Sequence, residues 1–368
     1  MADLFDDLIP IHDDTIYTNI KQDYIFKNYT RKQEEVKQEL EKSQDEESIL
    51  KTSNWSLLKT LAGAHQGWIR SIAIDEITNK FFITGSQDST IKIWDLNQEL
   101  DLKTTLTGHI MGIRSLIISK KFPYLLSGSE DKLIKCWDLE RTNSIEGCQI
   151  RQYYGHLGGI YAMSIHPEFD LLFSGGKDSC VRVWDIRSRN EIMILLGHRN
   201  DITTIETDSN DPQVITSSMD GTIRLWDLRQ TKTELCITQH SKSIRSMKLH
   251  PNERTFVSGD SNGNIKQWIL PEGDLLNDFE KKNNDEIINS LAINPISNQL
   301  FSGYDNGKIE IYDYITGNLL QSGKSPGLPG NENDNAIYSS VFDMSGLRLI
   351  TGEGDKSIKI WGDLNNEI

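Results

Sequence analysis

Seven times in 368 residues a Ser or Thr stands ten positions before an aromatic residue. The pairs are Thr84–Trp94, Ser127–Trp137, Ser174–Trp184, Thr216–Trp226, Ser258–Trp268, Ser302–Tyr312 and Thr351–Trp361. Successive aromatics lie 43, 47, 42, 42, 44 and 49 residues apart, and a period of roughly 40–45 residues is that of four-stranded blades stacked in a ring. One such unit cannot bury its own apolar faces, so each must pack on the next. The expected class is all-β, a seven-bladed β-propeller.

Other positions recur at fixed offsets from the aromatic. A His lies 28 residues before it at His109, His156, His198 and His240, and 29 before it at His65. An acid lies six before it at Asp88, Asp131, Asp178, Asp220 and Asp355, with Asn262 and Asn306 in the other two units. Where the His is missing, Asn284 and Asn333 occupy the counted position, so blades six and seven are expected to be the least rigid. Alternating stretches such as Thr90-Ile91-Lys92-Ile93-Trp94 have the period-two pattern of half-buried strands. His, Ser/Thr, Asp and Trp at these offsets match the hydrogen-bonded tetrad of WD repeats. Four sets are complete at the counted positions: His65, Thr84, Asp88 and Trp94; His109, Ser127, Asp131 and Trp137; His156, Ser174, Asp178 and Trp184; His198, Thr216, Asp220 and Trp226.

Ser, His and Asp also build hydrolase triads, but an enzyme carries one triad and this set recurs blade after blade, so a structural role is expected and no catalytic residue is assigned. Gly352-Glu353-Gly354-Asp355-Lys356-Ser357 lacks phosphate-loop spacing and falls on a repeat turn, as does Gly175-Gly176-Lys177-Asp178-Ser179; neither precedes a helix. Cys136, Cys148, Cys180 and Cys236 have no CxxC spacing, fitting neither a zinc site nor a disulfide framework. No cofactor, metal, membrane span or small-molecule substrate is expected. The first ten residues are acidic, without a secretory signal pattern.

The chain is expected to divide near Trp55. Residues 1–54 hold 7 Lys/Arg against 13 Asp/Glu, a net of −6 within the total of −15. They read as an acidic arm, mostly disordered, with a candidate helix over 16–40 and an apolar cluster at Leu4, Phe5, Leu8 and Ile9. Residues 55–368 form the ring. Too few residues follow Trp361 for a fourth strand in the last blade, so Trp55–Leu61 is expected to pair with 357–361 and remove an open edge.

Two insertions lengthen the period, at Glu140–Gln149 and at the Pro/Gly-rich Gln321–Asn335, the latter on the narrow face. Five residues past each His position that face is expected to carry Arg70, Arg114, Tyr161, Thr203, Arg245, Asn289 and Tyr338, with Lys177 and Met219 nearby, Glu130 and Asp305 as opposing charges, and Trp68 beside them. Arg and aromatic residues are common interface anchors. Trp68, Arg70, Arg114, Tyr161, Lys177, Arg245 and Tyr338 are therefore the candidate partner-binding residues. Direct RNA contact is expected to be minor, because the net charge repels phosphate.

Interspersed segments are more particular than the repeat: Leu106-Thr107-Gly108-His109-Ile110, Ile134-Lys135-Cys136-Trp137-Asp138-Leu139-Glu140, Tyr154-Gly155-His156-Leu157, Asn264-Ile265-Lys266-Gln267-Trp268 and Gly67-Trp68-Ile69-Arg70-Ser71. From Trp55 to Trp361 the chain resembles the pleiotropic-regulator family of spliceosomal WD-repeat proteins. That resemblance implies a nuclear, non-catalytic subunit of the Prp-nineteen-associated complex, with a Myb-repeat scaffold and an SNW-domain protein among its partners. The arm is shorter than that family's usual N-terminal region, and no basic import cluster is visible. A competing reading is a substrate receptor of a cullin-four type ubiquitin ligase, through the WDxR motifs Trp184-Asp185-Ile186-Arg187 and Trp226-Asp227-Leu228-Arg229. A G-protein β type scaffold would need a longer N-terminal coiled coil than the thin 16–40 stripe offers.

Overall fold

The computed structural model describes residues 54–96, 100–141, 148–279, 286–328 and 334–363. The acidic arm with its expected helix, Asn284, Asn333 and the insertion segments 142–147 and 329–333 lie outside them. Contacts divide the chain into Met1–Thr52 and Ser53–Ile368; the second unit is the one described.

That unit is a β-propeller of seven four-stranded antiparallel sheets. Blade one runs outward through Ile69–Ile74, Phe81–Ser86, Ile91–Asp95 and Leu102–Leu106, and the next five repeat this order. Blade seven takes Ile337–Phe342, Arg348–Glu353 and Ile358–Asp363 from the end of the chain, and its fourth strand, Trp55–Leu61, from the beginning. The register is Trp55↔Asp363 through Leu61↔Ile358, with a bulge after Leu57. The closing strand thus lies on 358–363 rather than 357–361. Gln321 of blade six grips its start, accepting from the Trp55 N–H and donating to the Trp55 carbonyl.

Apolar packing falls into seven layers, each between two consecutive blades; Trp94, for instance, packs with Ile350 and Ile358 of blade seven. The first residue of every innermost strand is an Ile with no exposed surface: Ile69, Ile113, Ile160, Ile202, Ile244, Ile288 and Ile337. In six of the seven cases a glycine in the preceding blade's second strand receives it; before Ile244 the position is Ser217. A Cβ on Gly85 would stand 2.8 Å from Ile113, and one on Gly352 would stand 2.6 Å from Ile69, so the small residue lets neighbouring blades meet and the same fit closes the ring.

The tetrads form as expected. In blade three Trp184 Nε1–H donates to Ser174 Oγ at 2.7 Å, His156 Nε2 lies 2.6 Å from that oxygen, and His156 Nδ1 lies 2.6 Å from Asp178. Blade one gives 2.9, 2.8 and 3.0 Å for Trp94–Thr84, Thr84–His65 and His65–Asp88. Blade two, with Trp137, Ser127, His109 and Asp131, and blade four, with Trp226, Thr216, His198 and Asp220, repeat the arrangement. A neutral imidazole protonated on Nδ1 satisfies every atom in the relay. Blade five departs from the counted position. Asp260, two residues before Asn262, faces His240 at 3.4 Å, while Asn264 Nδ2 steadies that carboxylate at 2.9 Å.

Blades six and seven lock themselves differently. In blade six the Tyr304 and Tyr312 hydroxyls both donate to the buried Glu310 carboxylate, which Lys308 pairs at 2.9 Å. In blade seven Trp361 still donates to Thr351 at 3.0 Å, but the His/Asp pair gives way to a buried ionic cluster. Lys359 Nζ lies 2.6 Å from Glu353, 2.7 Å from Ser325 Oγ, 2.6 Å from the Pro326 carbonyl and 3.4 Å from Asp355. Ser325 Oγ donates to the other Glu353 oxygen at 2.7 Å. The Ile309↔Gly323 pairing matches Ile91↔Leu106, so Ser325 corresponds to Gly108 of the Gly-His pair. The insertion follows that point, and counting back from Trp361 passes over it.

Burial alone would raise the tetrad carboxylates. Hydrogen bonds from His65, Thr90 and two backbone N–H groups outweigh it at Asp88 and hold that group far below the ordinary carboxylate range. Asp220 is held down in the same way by His198 and Thr222, and Asp260, through His240 and Asn264, sits at about 2. A depressed folded-state pKa contributes stability above the unfolded value of about 3.9 that is lost as pH falls through the folded one. The tetrads' contribution to the melting temperature should therefore hold steady down to about pH 5 and drop below pH 4. Asp260→Asn should blunt that drop; an unchanged profile in the variant would count against these carboxylates as its source.

Candidate functional site

Each innermost strand carries, as its second residue, one of the rim residues read from the sequence, and a bulge falls there in all seven blades. The bulge turns Arg70, Arg114, Tyr161, Thr203, Arg245, Asn289 and Tyr338 into the central channel, which encloses about 940 Å³.

Five candidates assemble into one cluster across blades seven, one, two and three. The Arg70 guanidinium lies over Tyr338 at 4.0 Å and over Trp68 at 4.9 Å, and those two rings lie 5.9 Å apart. Arg114 lies over Tyr161 at 4.7 Å and pairs with Glu130 at 2.6 Å. Gln87 Nε2 holds the other oxygen of Glu130 at 3.1 Å. Cation–ring contacts of this kind are each worth about 0.5–2 kcal/mol, enough to fix the side chains before a partner arrives. The other two candidates stand apart: Arg245 is exposed in blade five, and Lys177 is exposed at the blade-three turn. Asp305 accepts from Asn289 at 3.0 Å.

The cluster is short of anions. Glu130 pairs with Arg114 and reaches Arg70 only at longer range, whereas Arg70 has rings, no carboxylate at ion-pair distance and a buried Nε without a hydrogen-bond partner among the described residues. Burial, and after it the neighbouring Arg114 charge, lower the Arg70 guanidinium from its ordinary value. An unpaired, partly desolvated cation beside exposed aromatic surface suits a carboxylate or phosphate carried on an extended chain.

Beyond that cluster lies an apolar arc that the repeat count overlooked. Ile110 is 84% exposed and Leu157 77%, with Met111 and Tyr154 also exposed. Ile110 and Leu157 each follow a tetrad His, a position held by Gln66 in blade one and Arg199 in blade four. Comparing that single column across the repeats would have found them. Their backbone N–H groups bond the tetrad acids Asp131 and Asp178, which holds the side chains outward.

Nothing at these positions resembles a reaction centre. The tetrad hydroxyls of Thr84, Ser127, Ser174, Thr216 and Ser258 are fully buried beneath tryptophans, so no substrate could reach them. The WDxR arginines Arg187 and Arg229 extend from the third strands and pair with acids of their own blades, Asp170 and Asp211, at 2.5 and 3.7 Å.

Comparison with known proteins agrees with the architecture. The WD domain, G-beta repeat model matches residues 55–95, 100–138 and 324–362; its first match joins the closing strand to blade one, since the sequence repeat runs one strand out of phase with the blade. The N-terminal domain of nucleolar protein 10-like proteins matches 146–326. Pre-mRNA-splicing factor PRP46 of Candida albicans is 64% identical over 97% of this chain and 95% of its own length. The Debaryomyces hansenii protein of the same name is 58% identical over 95% and 89%. Protein pleiotropic regulatory locus 1 of Arabidopsis thaliana is 42% identical over 26% of this chain and 20% of its own length. With seven blades, WD tetrads and near full-length identity of this order, the chain belongs to the family of pre-mRNA-splicing factor PRP46.

Proposed function

We propose that this protein is a non-catalytic scaffold of the spliceosome, acting in the nucleus as a subunit of the Prp-nineteen-associated complex. In that role the narrow face holds extended segments of partner proteins, among which a Myb-repeat scaffold and an SNW-domain protein suit the surface. The relatives' name, pre-mRNA-splicing factor, supports a role in nuclear pre-mRNA splicing. The observation that carries the binding mode is Arg70, lying over the neighbouring rings of Tyr338 and Trp68 with its Nε unpartnered among the described residues. An acidic side chain on a threaded segment would complete that site, and the Ile110–Leu157 arc would receive the segment's apolar residues. Any RNA contact is secondary, since the chain's charge is −15 and phosphate would be repelled at long range. Neither the pairing of Arg187 and Arg229 nor the relatives' names favour the ubiquitin-ligase reading.

The test is charge reversal on the full chain. Arg70→Glu with Arg245→Glu should leave thermal unfolding near that of the parent and weaken capture of splicing proteins at least tenfold in affinity purification. Arg245→Glu alone, at an exposed position, should give an intermediate loss. Full retention of every splicing partner by a folded double variant would refute the narrow-face assignment, and recovery of cullin subunits in their place would revive the ligase reading.

A further inference from the structure

Every blade of a propeller ends in an outermost strand whose outer backbone edge has no partner in its own sheet, and such an edge invites a further strand unless polar side chains guard it. Strand register makes the seven edges comparable. The two outward positions are Lys103 and Thr105 in blade one, Ile150 and Gln152 in blade two, Glu234 and Cys236 in blade four. They are Leu276 and Asp278 in blade five, Leu320, itself half-buried against the layer between blades six and seven, and Ser322 in blade six, and Leu58 and Thr60 in blade seven. Each of these pairs includes a polar or charged residue, or in blade four a glutamate beside a cysteine. Blade three has Ile192 and Ile194, 49% and 37% exposed, and then Leu196 at 67%. Three aliphatics at i, i+2 and i+4 on one face of Glu191–Leu196 make a period-two apolar ladder at an open edge.

The ends of this edge are charged alike. Arg189 lies just before the strand and Arg199 just after it; both are exposed, and neither side chain has a hydrogen-bond or ion-pair partner among the described residues. Arg187, before them, is already paired with Asp170. In a chain of net charge −15, two unpaired arginines bracketing the one unguarded edge define what would complement it. Open main-chain donors and acceptors call for an extended backbone, the ladder calls for aliphatics at alternate positions, and the arginines call for acids at either end.

We propose that the outer edge of blade three is a β-addition site, taking an extended partner segment with alternating aliphatic residues and flanking acids as a fifth strand of that sheet. The site is independent of the narrow-face cluster, because none of its residues comes from the innermost strands. Leu196 pairs with Cys180, beside the Asp178 turn that also holds Leu157. A partner could therefore leave the narrow face at Leu157 and continue down this edge without a break.

The test uses the full chain and a capped peptide of sequence Glu-Glu-Val-Thr-Val-Thr-Val-Glu-Glu. Binding should slow hydrogen exchange at outward-facing amides of residues 191–196 at least tenfold, leaving the corresponding amides of 232–237 in blade four unchanged. The same peptide with Pro at its central Val should not bind, since Pro removes a main-chain donor. Ile194→Lys should weaken binding at least tenfold, and Ile194→Thr, which copies Thr105 of blade one, should do so even if the lysine disturbs the fold. Arg189→Glu with Arg199→Glu should weaken binding and flatten its salt dependence. The Arg70→Glu, Arg245→Glu variant should bind the peptide as the parent does, which separates this site from the narrow face. Equal binding of the Pro peptide, no loss in a folded Ile194→Thr variant, or edge amides already protected in the free protein would each overturn the assignment.

Discussion

Lys359→Met is expected to cost about 3–5 kcal/mol of stability, the loss typical when one partner of a buried ion pair is removed and the other charge is left behind. Lys359, Glu353 and Asp355 are all buried, and one Asp355 oxygen has only the lysine near it. The ammonium also holds Ser325 Oγ and the Pro326 carbonyl, so the substitution frees the link from blade six to blade seven as well. Chemical denaturation, with hydrogen exchange along Ile358–Asp363, measures both losses. Adding Glu353→Gln and Asp355→Asn removes the orphaned charges and should recover most of the deficit; a single variant within 1 kcal/mol of the parent would contradict the account.

The cluster also sets a sign for pH. Burial raises the Glu353 carboxyl to about 7 against the pull of Lys359, so the folded state holds its proton more tightly than the unfolded one. Its contribution to stability is greatest below about pH 4.3 and declines as pH rises toward 7. Without the lysine that decline steepens, and Lys359→Met should lose more at pH 8 than at pH 5. The tetrad carboxylates run the opposite way, so the two classes separate in one pH series.

Trp55→Ala carries the second large effect, about 3–5 kcal/mol for a buried tryptophan. The indole is 5% exposed, meets Phe342 edge-on at 5.5 Å and donates to Gln299 Oε1 at 2.9 Å. Truncation opens a cavity, leaves the Gln299 oxygen without its donor and loosens the strand that shuts the ring. Exposed backbone on Ile358–Asp363 would then become an edge, so aggregation on heating should accompany the lost stability. Leu58→Thr on the same strand, at an exposed position, should change stability by under about 1 kcal/mol. Light scattering during thermal unfolding distinguishes them, and similar behaviour of the two variants would refute the closing role of Trp55.

Several elements were legible because a propeller is built from local units. Within a blade the tetrad spans fewer than thirty residues at constant offsets, so His156, Ser174, Asp178 and Trp184 could be aligned by counting. The closing strand was legible for a related reason, since a blade short of one strand must find it elsewhere in the chain. Counting failed where the offset changed. Asp260 displaced Asn262 as the fifth acid, and the blade-seven insertion shifted the Gly-His point to Ser325, hiding a cluster built from Ser325, Glu353, Asp355 and Lys359. The expectation that blades six and seven are the least rigid rested on Asn284 and Asn333 at the counted His positions; the contacts there are instead made by Glu310 with its tyrosines and by Lys359 with its carboxylates.

Sequence alone thus determined the period, the number of blades, the tetrads and the rim positions, because each depends on residues close along the chain and repeated often enough to be read. Tertiary structure decided which rim residues meet: Arg70 lies on Tyr338, 268 positions away, only because blade seven closes against blade one. It likewise decided that the Ile192, Ile194 and Leu196 ladder faces outward at an open edge, since aliphatics at period two read the same whether a neighbouring strand covers them or water does.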